Sequence, residues 1–358
     1  MSIQFDELNT EALLDREEVV LDNALIENEI VGRVVLVTGA GGTIGSELCR
    51  QIAGYKPEKI ILLDIYENTM YQLENELEER FPEQKVISLV ASIRDKTRLE
   101  IIFDKYRPHI VFHAAAHKHV PLMEDSPGEA VKNNVIGTLN TAKCAADCGA
   151  KKFILISTDK AVNPTSVMGA SKRICEMIIC ALQKSTDTEF AAVRFGNVLG
   201  SSGSVALRFQ RQIKQGGPVT VTHPEVTRFF MTVAEAAQLV LQAAAYAQGG
   251  EVFVLDMGKP VKILDLAKRM IALSGLEPER DIKIVFTGHR PGDKEFEELL
   301  TDEEGLSTTQ HKKIFIAKPE CIDADDLMRK IEMLKAVADK DSETVKNTVA
   351  GLVPTYRM

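Results

Sequence analysis

No run of about 18 apolar residues occurs anywhere in this 358-residue sequence, so it offers no candidate for a membrane-spanning helix. Its acidic start lacks the charge and apolar pattern of a signal peptide. The six cysteines, Cys49, Cys144, Cys148, Cys175, Cys180 and Cys321, never fall in CxxC spacing, which argues against a metal site. Most lie in helical or apolar surroundings, so reduced, buried thiols are expected rather than disulfides. Positive charge is in deficit: the formal net charge is −9, which disfavours general nucleic-acid binding across the surface. A few arginines in one cleft still suffice for an anionic substrate, because a distant acidic surface is screened. There is no internal repeat and no low-complexity tract. With 45% hydrophobic and 27% charged residues, the composition is that of an ordinary globular protein, expected in the cytoplasm.

What is present is an alternation of short apolar runs and helical stretches. Residues 34–37, 60–63, 86–90, 110–112, 153–156 and 191–195 read as six buried parallel strands. Helical patterns over 70–80, 96–106 and 130–148 lie between them. Strands separated by crossover helices predict an α/β fold with a doubly wound parallel sheet. Residues 1–30 read as an N-terminal arm and 31–200 as a dinucleotide-binding Rossmann domain. Residues 201–358 read mainly as a smaller substrate-binding lobe, with helices at 233–246 and 263–274 and with segments near 229–256 returning to the first domain.

The first strand runs directly into Gly39, Gly42 and Gly45, spaced GxxGxxG, and Thr43 and Ile44 open the helix that follows. Such a loop needs one glycine for the turn, one for approach of a pyrophosphate and one for helix–strand packing, and the helix N-terminus then faces the anion. Asp64 ends the second strand 19 residues after Gly45 (64 − 45). A carboxylate there accepts bonds from both ribose hydroxyls and repels a 2′-phosphate, which favours NAD over NADP. Ala114 and Ala115 supply the small side chains that a dinucleotide lying across strand ends requires.

After the fifth strand come Ser157-Thr158-Asp159-Lys160 and then Met168-Gly169-Ala170-Ser171-Lys172. With TGAGGTIGSEL, HAAAHKHVPLME, NNVIGT, VRFGNVLGSSGSV, THPEVTRFFMT, FVLDMGKPVKI and RPGDK, these strings resemble the polysaccharide-biosynthesis branch of the extended short-chain dehydrogenases. Within it they look most like retaining UDP-N-acetylglucosamine 4,6-dehydratases. Many members of that branch carry N-terminal membrane helices, which this sequence lacks. Short-chain dehydrogenases usually carry Tyr-x-x-x-Lys; here the tyrosine slot holds Met168, whose thioether cannot move a proton.

The resemblance implies that Lys160 removes the proton from carbon 5, Asp159 protonates the departing 6-hydroxyl and Thr158 bonds the 4-hydroxyl. Lys172 would bind the nicotinamide ribose, and Met168 either shapes the pocket or merely fills the core. It places Ser92 and Ile93 beside the adenine, His117 and Lys118 at the sugar, and Asn134 as a structural brace. Asn197 would bond a phosphate or the sugar acyl group. Arg228 and Arg290 are the arginines best suited to a diphosphate, a surface ion pair being the alternative for each. The implied substrate is UDP-N-acetylglucosamine. Competing readings are an inverting dehydratase or 4-epimerase of UDP-sugars, and a non-catalytic NAD-sensing module. Ile174, Met177, Ile178 and Leu182 form an apolar helix face that predicts a homodimer or larger homo-oligomer.

Overall fold

A computed structural model describes residue 14 and residues 19–300, 305–317 and 323–358. Most of the expected N-terminal arm and Cys321 lie outside the described residues. All six expected strands are present: β1 (Val34–Thr38), β2 (Lys59–Asp64), β3 (Val86–Val90), β4 (Ile110–His113), β5 (Lys152–Ile156) and β6 (Glu189–Arg194). They lie parallel in the order β3-β2-β1-β4-β5-β6, the doubly wound arrangement whose strand order reverses between β1 and β4. Central strands are apolar at every position because helices cover both faces: Val34–Thr38 and Ile110–His113 are buried throughout.

The sheet continues past β6. Val252–Leu255 pairs with it in parallel, and Ile314–Ala317 and Leu306–Thr308 add two antiparallel strands at the edge. Helix Val233–Tyr246 packs on helix Thr43–Gly54, and helix Asn23–Ile30 packs on it in turn, burying Ile26 and Ile30. A second, smaller core gathers Leu199, Phe209, Ile213, Val219, Phe230, Leu266 and Ile271 from the intervening chain.

Residues 130–148, expected as one helix, are a helix with a widened turn at Val131–Ile136. Asn134 sits in that turn. Its amide accepts from His117 N at 2.8 Å and donates to His117 O at 3.0 Å and to Ser171 Oγ at 2.9 Å, which makes it a brace between three segments.

Helices Ala324–Val337 and Ser342–Leu352 pack on helix Val167–Gln183 within the chain, where Ile174, Ile178 and Leu182 of the expected oligomer face are buried. Leu327, Ile331, Leu334, Val345 and Val349 join the same apolar cluster. The 3.6-residue periodicity was sound, but it could not say which element would cover the face.

Candidate active site

The end of β5 is where the chemistry gathers. Past Ile156 the chain stays extended, Ser157 N bonding Val193 O at 2.8 Å, and then turns through a short helix at Asp159–Ala161. That turn brings three side chains together. Thr158 Oγ1 donates to Asp159 Oδ1 at 2.8 Å, and Lys160 Nζ donates to the same oxygen at 3.0 Å. Asn197, just after β6, accepts from Lys160 Nζ at 3.0 Å. Asp159 is fully buried, and its other oxygen, Oδ2, has no partner among the described residues. Burial raises the Asp159 carboxyl above its ordinary range, opposed by the charge of Lys160 and assisted by that of Glu297. For Lys160 burial pushes the other way, but Asp159 and Glu297 outweigh it and hold the ammonium charged.

Helix Val167–Gln183 comes against this turn, with Ser166 Oγ capping it by accepting from Gly169 N at 3.2 Å. Gly169 makes the approach possible, since a Cβ there would collide with the carbonyl oxygen of Lys160. Met168 is buried in the main core. Lys172 lies one turn on, only 5% exposed, and its Nζ has no hydrogen bond or ion pair among the described residues. Burial lowers its affinity for a proton.

The glycine loop is tightly packed. Gly39 takes φ +67°, and a Cβ on it would stand 2.6 Å from Ala115 N. Gly45 packs against the Gly39 carbonyl with no room for a side chain. Asp64 Oδ2 accepts from Gly41 N at 2.9 Å and Oδ1 from Tyr66 N at 3.0 Å, so its carboxylate is fixed at the mouth of the loop. Ser202 N donates to Thr43 Oγ1 at 3.1 Å and closes the far side. The closely packed loop, the N-terminus of helix Thr43–Gly54 without a side-chain cap among the described residues, the anchored Asp64 and Lys172, unpaired among those residues, fit a dinucleotide.

The sequence profile of the polysaccharide biosynthesis protein family matches residues 35–319. The chain belongs to that family. It is 54% identical over 313 residues to the capsular polysaccharide biosynthesis protein CapD of Staphylococcus aureus, covering 87% of this chain but only 52% of CapD. It thus spans about half the length of that relative. It is also similar to the inverting UDP-N-acetylglucosamine 4,6-dehydratase of Campylobacter jejuni, at 31% identity over 80% of this chain and 83% of the relative. Among solved structures, Pen from Bacillus thuringiensis superposes with a TM-score of 0.75 at 32% identity, over 85% of this chain and 99% of Pen.

In this member of the polysaccharide biosynthesis family the remaining predicted residues scatter more widely. His117 faces Arg94, with Nε2 3.0 Å from a guanidinium nitrogen, and Arg94 in turn pairs with Glu129. Lys118 Nζ reaches Ser201 Oγ at 3.5 Å on the rim. The Ile93 side chain is buried against Gly137, while Ser92 Oγ accepts from Arg94 N at 3.2 Å. Arg228 has another occupation. Its guanidinium donates to the carbonyls of Thr227, Lys294 and Glu295 and lies 3.4 Å from Glu297. Arg290 stays exposed, paired with Asp293 at 3.1 Å.

Two residues escaped the sequence reading. Arg208, on helix Val205–Lys214, has no side-chain partner among the described residues and feels Arg290 and Arg211 nearby. Glu297 reaches Lys160 Nζ at 3.3 Å. Neither carries a local signal: Arg208 is one arginine of an amphipathic helix, and Glu297 is one of several acids after residue 293.

Proposed function

We propose that the chain is a retaining UDP-N-acetylglucosamine 4,6-dehydratase that depends on NAD. It would work in the cytoplasm and make UDP-2-acetamido-2,6-dideoxy-4-keto-D-xylo-hexose for surface polysaccharide. The observation that carries this reading is the joining of Thr158 and Lys160 to the buried Asp159 in one hydrogen-bonded cluster, beside a helix with methionine in the tyrosine slot. A 4-epimerase needs a tyrosine and no such pair, and a sensor has no use for an acid and a base together.

NAD, when bound, supplies the group that takes a hydride from carbon 4 and returns it to carbon 6. Gly39, Gly42, Thr43, Ile44, Gly45, Asp64, Ser92, Ile93, Ala114, Ala115 and Lys172 would hold it. The rest is proton traffic. Thr158 takes the 4-hydroxyl proton and passes it to Asp159 over the 2.8 Å hydrogen bond between them. The ketone at carbon 4 acidifies carbon 5, and Lys160, in its neutral form, the minor one in the resting site, removes that proton. Asp159 gives its newly gained proton to the departing 6-hydroxyl, so one water leaves. Lys160 then returns a proton to the same face of carbon 5, which preserves the D-configuration. Arg290 and Arg208 supply charge for the diphosphate, and His117, Lys118 and Asn197 border the sugar.

The test is to incubate the protein with UDP-N-acetylglucosamine and follow the product by mass spectrometry and proton magnetic resonance in heavy water. Loss of one water with a D-xylo product is expected. An L-arabino product appearing first would assign the inverting reaction, and an unchanged mass would remove the dehydratase reading.

A further inference from the structure

The Asp159–Lys160 pair poses a difficulty for any reaction that needs Asp159 to hold a proton. A lysine whose only counter-ion is the adjacent carboxylate keeps that carboxylate ionised. The structure contains a way out. Lys160 Nζ makes three polar contacts, to Asp159 Oδ1 at 3.0 Å, Asn197 Oδ1 at 3.0 Å and Glu297 Oε1 at 3.3 Å. Three acceptors account for the three hydrogens of an ammonium. Among the described residues the charged groups around it are two carboxylates, Asp159 and Glu297, and one further cation, Arg228, whose Nε lies 3.4 Å from the same Glu297 oxygen. Lys294 also acts on Glu297 through its charge, from the same stretch of chain.

Glu297 is placed with some care. Its side chain is 2% exposed. The segment that carries it is fastened from below, because Arg228 donates to the carbonyls of Lys294 and Glu295 and Lys294 Nζ donates to Val162 O at 2.8 Å. Bringing a carboxylate out of water costs several kcal/mol unless cations meet it, and here two do.

We propose that Glu297 is a positioning residue of the acid/base site, the counter-ion that pairs with Lys160 and thereby frees Asp159 to take up a proton and hand it on. The proposal rests on the dehydratase reading for the identity of the proton's destination, but the ion pair itself does not. With Glu297 carrying the negative charge, Lys160 stays paired whether Asp159 is ionised or neutral. Glu297 acts through Lys160 and touches no reacting atom. Arg228 then serves as the clamp that delivers Glu297.

Glu297→Gln keeps the size of the side chain and removes its charge. Asp159 loses a like-charged neighbour and becomes the sole counter-ion of Lys160, so it holds a proton less readily. Lys160, with one anion fewer, does the same. Both limbs of the kcat–pH profile are therefore expected to move to lower pH, by about one unit, with KM little changed. Glu297→Asp, which keeps the charge, should leave the profile in place.

A readout independent of turnover is carbon-13 magnetic resonance of protein labelled at the aspartate carboxyl, the Asp159 signal being identified by its loss in Asp159→Asn. Its titration midpoint should fall in Glu297→Gln. A midpoint that stays put, or a kcat that drops evenly at every pH, would overturn the proposal. A shifted midpoint in a protein that never dehydrates UDP-N-acetylglucosamine would uphold the counter-ion and overturn only the reaction assigned to the site.

Discussion

Ser157 Oγ donates a 2.6 Å hydrogen bond to Glu176 Oε1, tying the strand that ends in Thr158, Asp159 and Lys160 to the helix that carries Met168 and Lys172. Glu176 is itself held by Arg194 at 2.7 Å and by Arg173 at 3.1 Å, all of them buried. Burial pushes its carboxyl up, but the arginines and Ser157 win and hold it at about 2. Glu176→Gln leaves the fully buried Arg194 short of counter-charge and should cost about 3–5 kcal/mol in urea unfolding. Ser157→Ala removes one hydrogen bond and should cost about 1 kcal/mol. Equal stabilities for the two variants would show that Glu176 is not the chief counter-charge.

The proton-transfer pair should be essential without being needed for cofactor retention. Asp159→Asn and Lys160→Met are each expected to lower dehydration at least ~10²-fold while nucleotide binding, followed by calorimetry, stays close to that of the parent. Near-normal turnover in either variant would remove it from the mechanism.

Met168 is 3% exposed and packed in the main core, so a tyrosine there adds both bulk and a hydroxyl in need of a partner. Met168→Tyr should lose about 1–3 kcal/mol from overpacking and gain no activity. A rise in turnover would mean that the proton route still runs through this position.

His113 lies wholly buried between Thr38 Oγ1 at 2.7 Å and Thr138 Oγ1 at 2.9 Å. Burial, then the charge of Lys172, lowers its pKa to about 3, against about 6.5 in the unfolded chain. The folded pKa is the lower one. Its contribution to stability is therefore complete above about pH 6.5 and is lost as the pH falls toward 3, by up to about 1.4 kcal/mol per unit. Unfolding free energies measured at several pH values should show a shallower acid slope for His113→Asn. The same slope in both proteins would mean that His113 is not buried neutral.

Asp64 is fixed by two backbone donors at the mouth of the glycine loop, which leaves little freedom to accommodate a phosphate beside it. NAD should bind at least ~10-fold more tightly than NADP, and Asp64→Asn should narrow the gap. Tighter binding of NADP by the parent would overturn the NAD assignment.

Every strand of the parallel sheet up to β6 was legible in the sequence, because strands buried on both faces leave uninterrupted apolar runs. The antiparallel pair Leu306–Thr308 and Ile314–Ala317 was not. Leu306, Ser307 and Thr308 are exposed and carry no such run. The strand-end triplet Thr158, Asp159 and Lys160 was legible because its members are neighbours in sequence. Glu297 was invisible for the opposite reason: it lies 137 residues from Lys160 (297 − 160), and only the folded path of the second lobe brings the two together. The surroundings of Arg228 were not legible either, because residue type alone does not reveal that its guanidinium donates to backbone carbonyls.

The helix of Met168 and Lys172 wears the last 35 residues of the chain as a coat. Lys346 pairs with Glu124 at 2.8 Å, the other oxygen of Glu124 accepts from Val167 N at 2.7 Å, and Arg357 N bonds Pro164 O at 2.9 Å. At the seam Gly128 is pressed so closely on the Ala338 carbonyl that no side chain fits between them. Peeling that coat away would wet one side of the helix while the parallel sheet still stood. Warming or mild denaturant is therefore expected to silence the protein before it melts, with far-ultraviolet ellipticity outlasting turnover.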